Sequence, residues 1–136
     1  MRIVFFVLPG RAVDAAVPSG GDIYDRRVAE GLAAAGWSVR EVVVPGAWPR
    51  PGPPGYEALA AAFAGFPDGA VVVLDGLVAG AAPEVLVSAA GRLRLVALVH
   101  LPLADETGLP ATTKADLAAR ERRALHAAAA VVVTSS

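Results

Sequence analysis

"RIVFFVL", residues 2–8, is an apolar run with no charged residue after its first position, and four more largely apolar runs follow it along the chain. Short runs that are apolar on both faces and rich in β-branched residues are typical of parallel strands covered by helices. We therefore predict five buried strands in one parallel sheet. The other four runs are SVREVVV (38–44), AVVVLD (70–75), LRLVALVH (93–100) and AVVVTS (130–135).

The segments between these runs have helical spacing. Residues 22–35 place an apolar stripe that includes Val28 on one side, with Asp25 mostly outside it, and Gly36 follows as a natural left-handed cap. Three further helices are predicted, each ending near a glycine or at the next strand. They cover 55–65, the stretch that begins at about Pro83, and 112–129, where a threonine is expected to cap the first turn.

This alternation predicts an α/β fold, a Rossmann-like three-layer sandwich formed by residues 1–136 as a single domain. Right-handed crossovers favour the strand order 3-2-1-4-5, in which the crossovers reverse direction between the first and fourth strands. Ligands of such sheets bind at the carboxyl ends of the strands beside this switch point. Because the sequence ends on a strand with no helix behind it, we expect a domain cut from a longer protein.

Composition excludes several classes of protein. Hydrophobic residues make up 55% and charged residues 18% of the chain, which is far from the composition of disordered chains. The formal net charge of −1, without a basic stripe, argues against a nucleic-acid partner. The absence of cysteine excludes disulfides, zinc-thiolate sites and cysteine nucleophiles. The first apolar run is too short for a signal peptide or a membrane span, so a cytoplasmic protein is expected.

A glycine pair, Gly20 and Gly21, stands immediately before the first predicted helix and follows Ser19. Glycines at a helix start let a ligand approach the backbone, and the free N–H groups together with the helix dipole attract an anion. Ser19 adds a hydroxyl that can cap the helix or meet a phosphate. The spacing fits neither nucleotide fingerprint, G-x-G-x-x-G or G-x-x-x-x-G-K-[ST], so a simple turn is the alternative interpretation.

His100 ends the fourth apolar run, next to the predicted switch point. An imidazole there can donate a hydrogen bond, act as a base or stabilise a developing charge near neutral pH. The alternative is a histidine that only ends a strand and bonds a neighbouring carbonyl. His126 lies among alanines in the last predicted helix and receives no functional role.

The acidic residues do not predict a metal site. Asp75 ends the third run, where response-regulator receivers carry their phosphoacceptor, but the first run ends in LPG and lacks the acidic residues that hold a receiver's magnesium. Asp75 therefore receives no role. Asp105 and Glu106 lack a histidine at ligand spacing and are interpreted as part of a solvated loop.

Taken in order, these features are similar to those of a known family. The first strand, the glycine pair, the stretch DIYDRRVAEGLAAAGWSVREV, a strand ending in histidine and the closing RERRALHAAAAVVVTSS resemble the N-terminal domain of GT-B-fold glycosyltransferases, particularly the retaining family 4. The closing segment matches the family's pattern at Glu121, Leu125 and Ser135. The resemblance covers nearly the whole chain.

The resemblance implies roles for individual residues. In that family the glycine-rich loop approaches the diphosphate and sugar of a nucleotide-sugar donor, which implies donor binding at Ser19, Gly20 and Gly21. The family's histidine after the corresponding strand lies beside the transferred sugar, which implies a catalytic role for His100. The family's nucleotide site belongs to a second Rossmann-like domain that this sequence does not contain.

The resemblance therefore implies the acceptor-binding half of a retaining transferase that moves a hexose from a nucleotide sugar to an unidentified acceptor. It implies no metal or other cofactor, donor binding mainly by the second domain, and no turnover by this chain alone. The alternative is a non-catalytic Rossmann-like binding or partner module. The last predicted strand would then offer an exposed edge for self-association.

Overall fold

A computed structural model of the chain describes residues 2–10, 20–100 and 108–133, and it contains one five-stranded, all-parallel sheet. The strands occupy the five apolar runs, and each neighbouring pair is parallel. The α/β, Rossmann-like class predicted from the sequence is therefore confirmed. The strands are β1 (Arg2–Pro9), β2 (Trp37–Val44), β3 (Val71–Asp75), β4 (Arg94–Val99) and β5 (Ala130–Val133).

The strand order is β2-β1-β3-β4-β5, so the predicted order 3-2-1-4-5 is wrong. β1 pairs with β2 on one side and with β3 on the other, and the switch point therefore lies between β1 and β3. The physical reason is visible in β2, where Arg40 and Glu41 are exposed. Charged side chains suit an edge strand, whereas β3 is apolar until Asp75 and suits a position between two neighbours.

Four of the five described helices lie at the predicted segments, with ends that differ by up to three residues, and the short helix Gly76–Ala79 was not predicted. Gly36 follows the first helix with φ 98°, and Pro83 stands in the first turn of the fourth helix, as predicted. The predicted threonine cap is wrong, because the last helix begins at Ala111 after Pro110 and no side chain caps it. None of the described helices combines the length and apolar character needed to cross a membrane. The helices are α1 (Gly20–Ala34), α2 (Gly52–Ala64), α3 (Gly76–Ala79), α4 (Pro83–Ala89) and α5 (Ala111–Ala127).

These helices cover the two faces of the sheet unequally. The step from β1 to β2 runs across the sheet in one direction and the later steps run in the other, so right-handed crossovers put α1 on one face and the other helices on the opposite face. The larger core contains Phe63 of α2 and Leu86 of α4. On the other face, Val28 and Leu32 of α1 pack against a smaller cluster that includes Val4.

On the face of the sheet where α1 packs, an open apolar groove of about 270 Å³ lies beside the helix. The groove runs across β3, β4 and β5. β5 is an edge strand of the described sheet, and the side chain of its last residue, Val133, is 71% exposed. The groove and the edge of β5 are thus adjoining apolar surfaces. The groove is lined by Val4, Val28, Leu32, Trp37, Val71, Val73, Val96, Leu98 and Val132.

The end of α2 is held by Arg92, which stands just before β4. Its guanidinium donates to the carbonyl oxygens of Phe66 at 2.6 Å and Phe63 at 2.7 Å, and to the Asp68 carboxylate at 3.1 Å. The last carbonyls of a helix lack partners within the helix, so a charged donor here ties α2 to the start of β4.

Arg92→Met is expected to lower the free energy of unfolding by about 1–2 kcal/mol, because two main-chain acceptors lose a charged donor while the aliphatic stem is kept. Urea unfolding followed by circular dichroism measures the effect. Arg122→Met, which removes the same charge from an exposed position of α5, is the matched control. Equal losses in the two variants would contradict the capping role.

Candidate functional site

Three polar side chains from separate parts of the chain meet at the carboxyl edge of the sheet. Asp75 is the last residue of β3, His100 follows the end of β4, and Asp25 stands in the second turn of α1. The strand order brings them together. β3 lies between β1 and β4, and α1 packs against the face of the sheet at β1. We call these three residues the Asp-Asp-His cluster.

The cluster has short polar distances and little contact with solvent. The Nε2 atom of His100 lies 2.9 Å from Oδ1 of Asp25 and 3.6 Å from Oδ2 of Asp75. The two aspartate side chains are 5% and 4% exposed and the histidine side chain is 18% exposed. An ionised Asp25 carboxylate can only accept a hydrogen bond, and Nε2 is the donor when the carboxylate is in that form. His100 is therefore held in one orientation by Asp25.

Asp75 is fixed from its other side. Its Oδ1 atom accepts a hydrogen bond of 2.8 Å from the backbone N–H of Leu77, which caps the short helix α3. At Gly76 a Cβ atom would stand 2.6 Å from the carbonyl oxygen of Leu98, so only glycine lets the chain turn this close to β4. One carboxylate oxygen of Asp75 is thus used by the backbone, and the other faces His100.

Two members of the cluster are absent from the site predicted by the sequence analysis. Asp25 was placed mostly outside the buried stripe of its helix and Asp75 was assigned no role, but both are buried. The available signal for Asp75 was a single carboxylate at the end of an otherwise apolar strand. That signal does not by itself show that Asp75 lies beside His100. The strand order, with β3 between β1 and β4, is needed for this.

Of the residues predicted to bind the donor, Gly20 and Gly21 lie on the same helix as Asp25 of the cluster. Gly20 and Gly21 are the first two residues of α1, one turn before Asp25. Ser19 lies outside the described residues, and so do Asp105, Glu106 and Ser135. The glycine pair and His100 therefore belong to one edge of the sheet, linked by Asp25, while donor binding by the glycines remains a prediction.

The remaining predicted positions lie on α5. His126 is exposed in the last turn of the helix, consistent with the absence of a functional assignment. Glu121, which matches the family pattern in the sequence, is 9% exposed and faces the protein interior.

The aromatic ring of Tyr24 contacts the ring of His100, edge to face, with centroids 5.3 Å apart. Beside the cluster, an open cavity of about 400 Å³ lies between α1 and the ends of β1 and β2. Asp25 belongs to both the cluster and the cavity wall, so a ligand in the cavity can reach the cluster. The cavity is lined by Phe6, Leu8, Pro9, Asp25, Arg26, Ala29, Glu41 and Val43.

A second polar group lies on the other face of the sheet and supports the packing of α4 and α5. Arg120 donates to the Ala81 carbonyl and to Oε1 of Glu84, each at 2.8 Å, and Tyr56 donates to the same carbonyl at 3.1 Å. Burial raises the pKa of Glu84, but the hydrogen bond and the charge of Arg120 outweigh it and hold this pKa below its ordinary value. The group is a structural ion pair.

No family model, no curated protein and no solved structure matches the chain. The fold and the site define the class, an α/β Rossmann-like protein with a buried Asp-Asp-His cluster at the carboxyl edge of its parallel sheet. The transferase family remains a resemblance at the level of residues.

The Glu84–Arg120 pair gives an expected dependence of stability on pH. Since the folded state lowers the pKa of Glu84, the pair stabilises the fold above the unfolded pKa of this carboxyl and loses that effect as the pH falls through the folded pKa. Glu84→Gln should therefore destabilise the protein at pH 7 by less than about 1 kcal/mol, because the carboxylate is largely exposed.

At pH 3 the difference between Glu84→Gln and the unsubstituted protein should nearly vanish. Urea unfolding at both pH values measures it. Glu57→Gln, at an exposed position of α2, is the control. A difference that grows toward low pH would show that the pair does not act as an ion pair.

Proposed function

We propose that this chain is the N-terminal, acceptor-binding domain of a retaining GT-B-fold glycosyltransferase that moves a hexose from a nucleotide sugar to an acceptor. The observation that carries the proposal is the position of His100. It follows the end of β4 and is held at 2.9 Å by Asp25, a residue of the helix that begins with the glycine pair. The glycine pair and His100 thus lie at the same edge of the sheet.

The chemistry of sugar transfer with retention suits this arrangement. Its transition state has oxocarbenium character, and a diphosphate leaves with negative charge. Gly20 and Gly21, which have no side chains of their own, form the start of α1, and the dipole of this 15-residue helix favours the departing anion. His100, oriented by Asp25, supplies a polar contact to the sugar beside it.

The cavity between α1 and the ends of β1 and β2 is the proposed place of the acceptor. It adjoins the cluster through Asp25 and combines an apolar floor with the charged side chains of Arg26 and Glu41. Such a wall suits a hydroxylated molecule with an apolar part. The nucleotide of the donor is assigned to a second domain, in accordance with the resemblance.

The transferase proposal predicts the effect of two substitutions in the native polypeptide isolated from its source cells. His100→Ala and Gly21→Val should each lower the release of nucleoside diphosphate from a panel of nucleotide sugars by at least about 100-fold. The first removes the contact to the sugar, and the second places a branched side chain where the diphosphate approaches.

His126→Ala is the matched control, because this histidine is exposed on α5 and outside the site. Circular dichroism and thermal unfolding show whether each variant folds. Unchanged release in folded His100→Ala and Gly21→Val variants would overturn the site. A native polypeptide that releases no nucleoside diphosphate from any tested nucleotide sugar would overturn the function.

A second candidate function, a partner module that associates with its own copy, is favoured by the surface around β5. Val131, Val132 and Val133 are exposed on this edge strand, and Val132 also lines the apolar groove. An edge strand presents unpaired backbone N–H and C=O groups that a second identical edge can pair with. The proposed occupant is the β5 edge of a second copy of this chain.

Sedimentation velocity over a range of concentrations tests the partner proposal. The chain should form a dimer, and Val133→Lys should shift it toward monomer by at least about tenfold in the dissociation constant, since a buried unpaired charge is costly. Val87→Lys is the control, because this valine is also exposed, at 50%, and lies on α4 away from β5. A monomer at every concentration would contradict the partner proposal and leave the transferase proposal standing.

A further inference from the structure

We propose that the Asp-Asp-His cluster binds a divalent transition-metal cation, with one oxygen of Asp25, one oxygen of Asp75 and Nε2 of His100 as ligands. The inference does not rest on the proposed transferase function. It differs from the absence of a metal that the family resemblance implies.

The distances fit a shared cation. Atoms bound to one ion at bond lengths of about 2.0–2.2 Å lie about 2.8–3.6 Å from each other in octahedral or tetrahedral geometry. Nε2 of His100 lies 2.9 Å from the oxygen of Asp25 and 3.6 Å from that of Asp75, so both distances fall within this range. One candidate ligand atom of each of the three residues lies within 4.8 Å of the other two.

Burial and charge favour a cation over a solvated acidic cluster. Both carboxylates are buried, and burying negative charge is costly unless positive charge or hydrogen bonds compensate it. Two carboxylates and a neutral imidazole match the charge of one divalent ion. With the proton of the neutral ring on Nδ1, the lone pair of Nε2 binds the cation, and the cation takes over the contact with both carboxylates.

The surroundings already orient the ligands. The backbone N–H of Leu77 holds one oxygen of Asp75 and leaves the other toward His100. A carboxylate that is fixed in this way loses little freedom when it binds a metal, which is the usual effect of groups that hydrogen-bond to ligands. Tyr24 packs against the ring of His100 and limits its rotation.

The three ligands found among the described residues fill only part of the coordination shell of such an ion, and three-ligand sites are typical of those that bind a further molecule. Asp25 also lines the cavity beside α1, so the site adjoins this cavity. An oxygen ligand such as a phosphate or a sugar hydroxyl can complete the coordination. A closed structural site would instead need a fourth side chain.

The ligand set predicts an order of affinity among ions. An imidazole nitrogen with two carboxylates suits Zn²⁺ and Mn²⁺ better than Ca²⁺, which prefers six to eight oxygens. Affinities of divalent transition metals rise from Mn²⁺ toward Zn²⁺ in sites of this kind. We therefore expect Zn²⁺ to bind more tightly than Mn²⁺, and Ca²⁺ to bind most weakly.

Calorimetric titration of the tag-free chain with ZnCl₂ and with MnCl₂ tests the proposal. One equivalent should bind, and Asp25→Asn, Asp75→Asn and His100→Gln should each weaken binding by at least about tenfold. Asparagine at 75 still offers an oxygen to the N–H of Leu77, so the start of α3 is preserved. Thermal unfolding of each variant without metal verifies its fold.

Asp116→Asn and His126→Gln are the matched controls, because both residues are exposed on α5 and carry the same functional groups. They should leave the dissociation constant unchanged within about twofold. In NMR spectra, Mn²⁺ should broaden the amide signals of Leu77 and Val99 most strongly and those of Gly69 and Arg92, at the opposite edge of the sheet, least.

Absence of a one-equivalent binding event for both ions would overturn the proposal. So would binding that persists in the three cluster variants or disappears in His126→Gln, since the ion would then lie elsewhere. Neither outcome bears on the transferase proposal, because metal binding is measured on this chain without turnover. Failure of sugar transfer likewise leaves the cation site intact.

Discussion

The pairing of β3 with β1 is the contact on which the rest of the structure depends, because it sets the point where the crossovers reverse. Val4 to Val7 of β1 lie beside Val71 to Leu74 of β3, with β2 on the other side of β1. This register puts the ends of β3 and β4 next to the helix that follows β1. If another strand paired with β1 in place of β3, Asp75 would lie away from Asp25 and the site would not form.

The cost of burying charge explains why the site is built from several elements. Two carboxylates with almost no exposed surface must be compensated, and within the described residues the imidazole of His100 and the N–H of Leu77 contribute to this. Each partner comes from a different element, so the site forms only when the sheet is complete. The site and the fold are therefore thermodynamically coupled.

Helix α1 links the two proposed ligand features. Its first two residues are the glycine pair, and its second turn carries Asp25, which orients His100. A diphosphate at the helix start and a cation or sugar at the cluster would thus lie within a few residues of one helix. The open cavity beside α1 adjoins the cluster through Asp25.

The sequence by itself determined the strands, the positions of the four longer helices and the left-handed cap at Gly36, because apolar periodicity and glycine conformation act over a few neighbouring residues. It also placed His100 at a strand end. Only the tertiary structure decided the strand order and brought Asp25 and Asp75 next to His100. Asp25 stands 75 residues away from His100 in the chain. The charges in β2 favour an edge position, but the partner of β1 on its other side is chosen by long-range packing of the whole sheet.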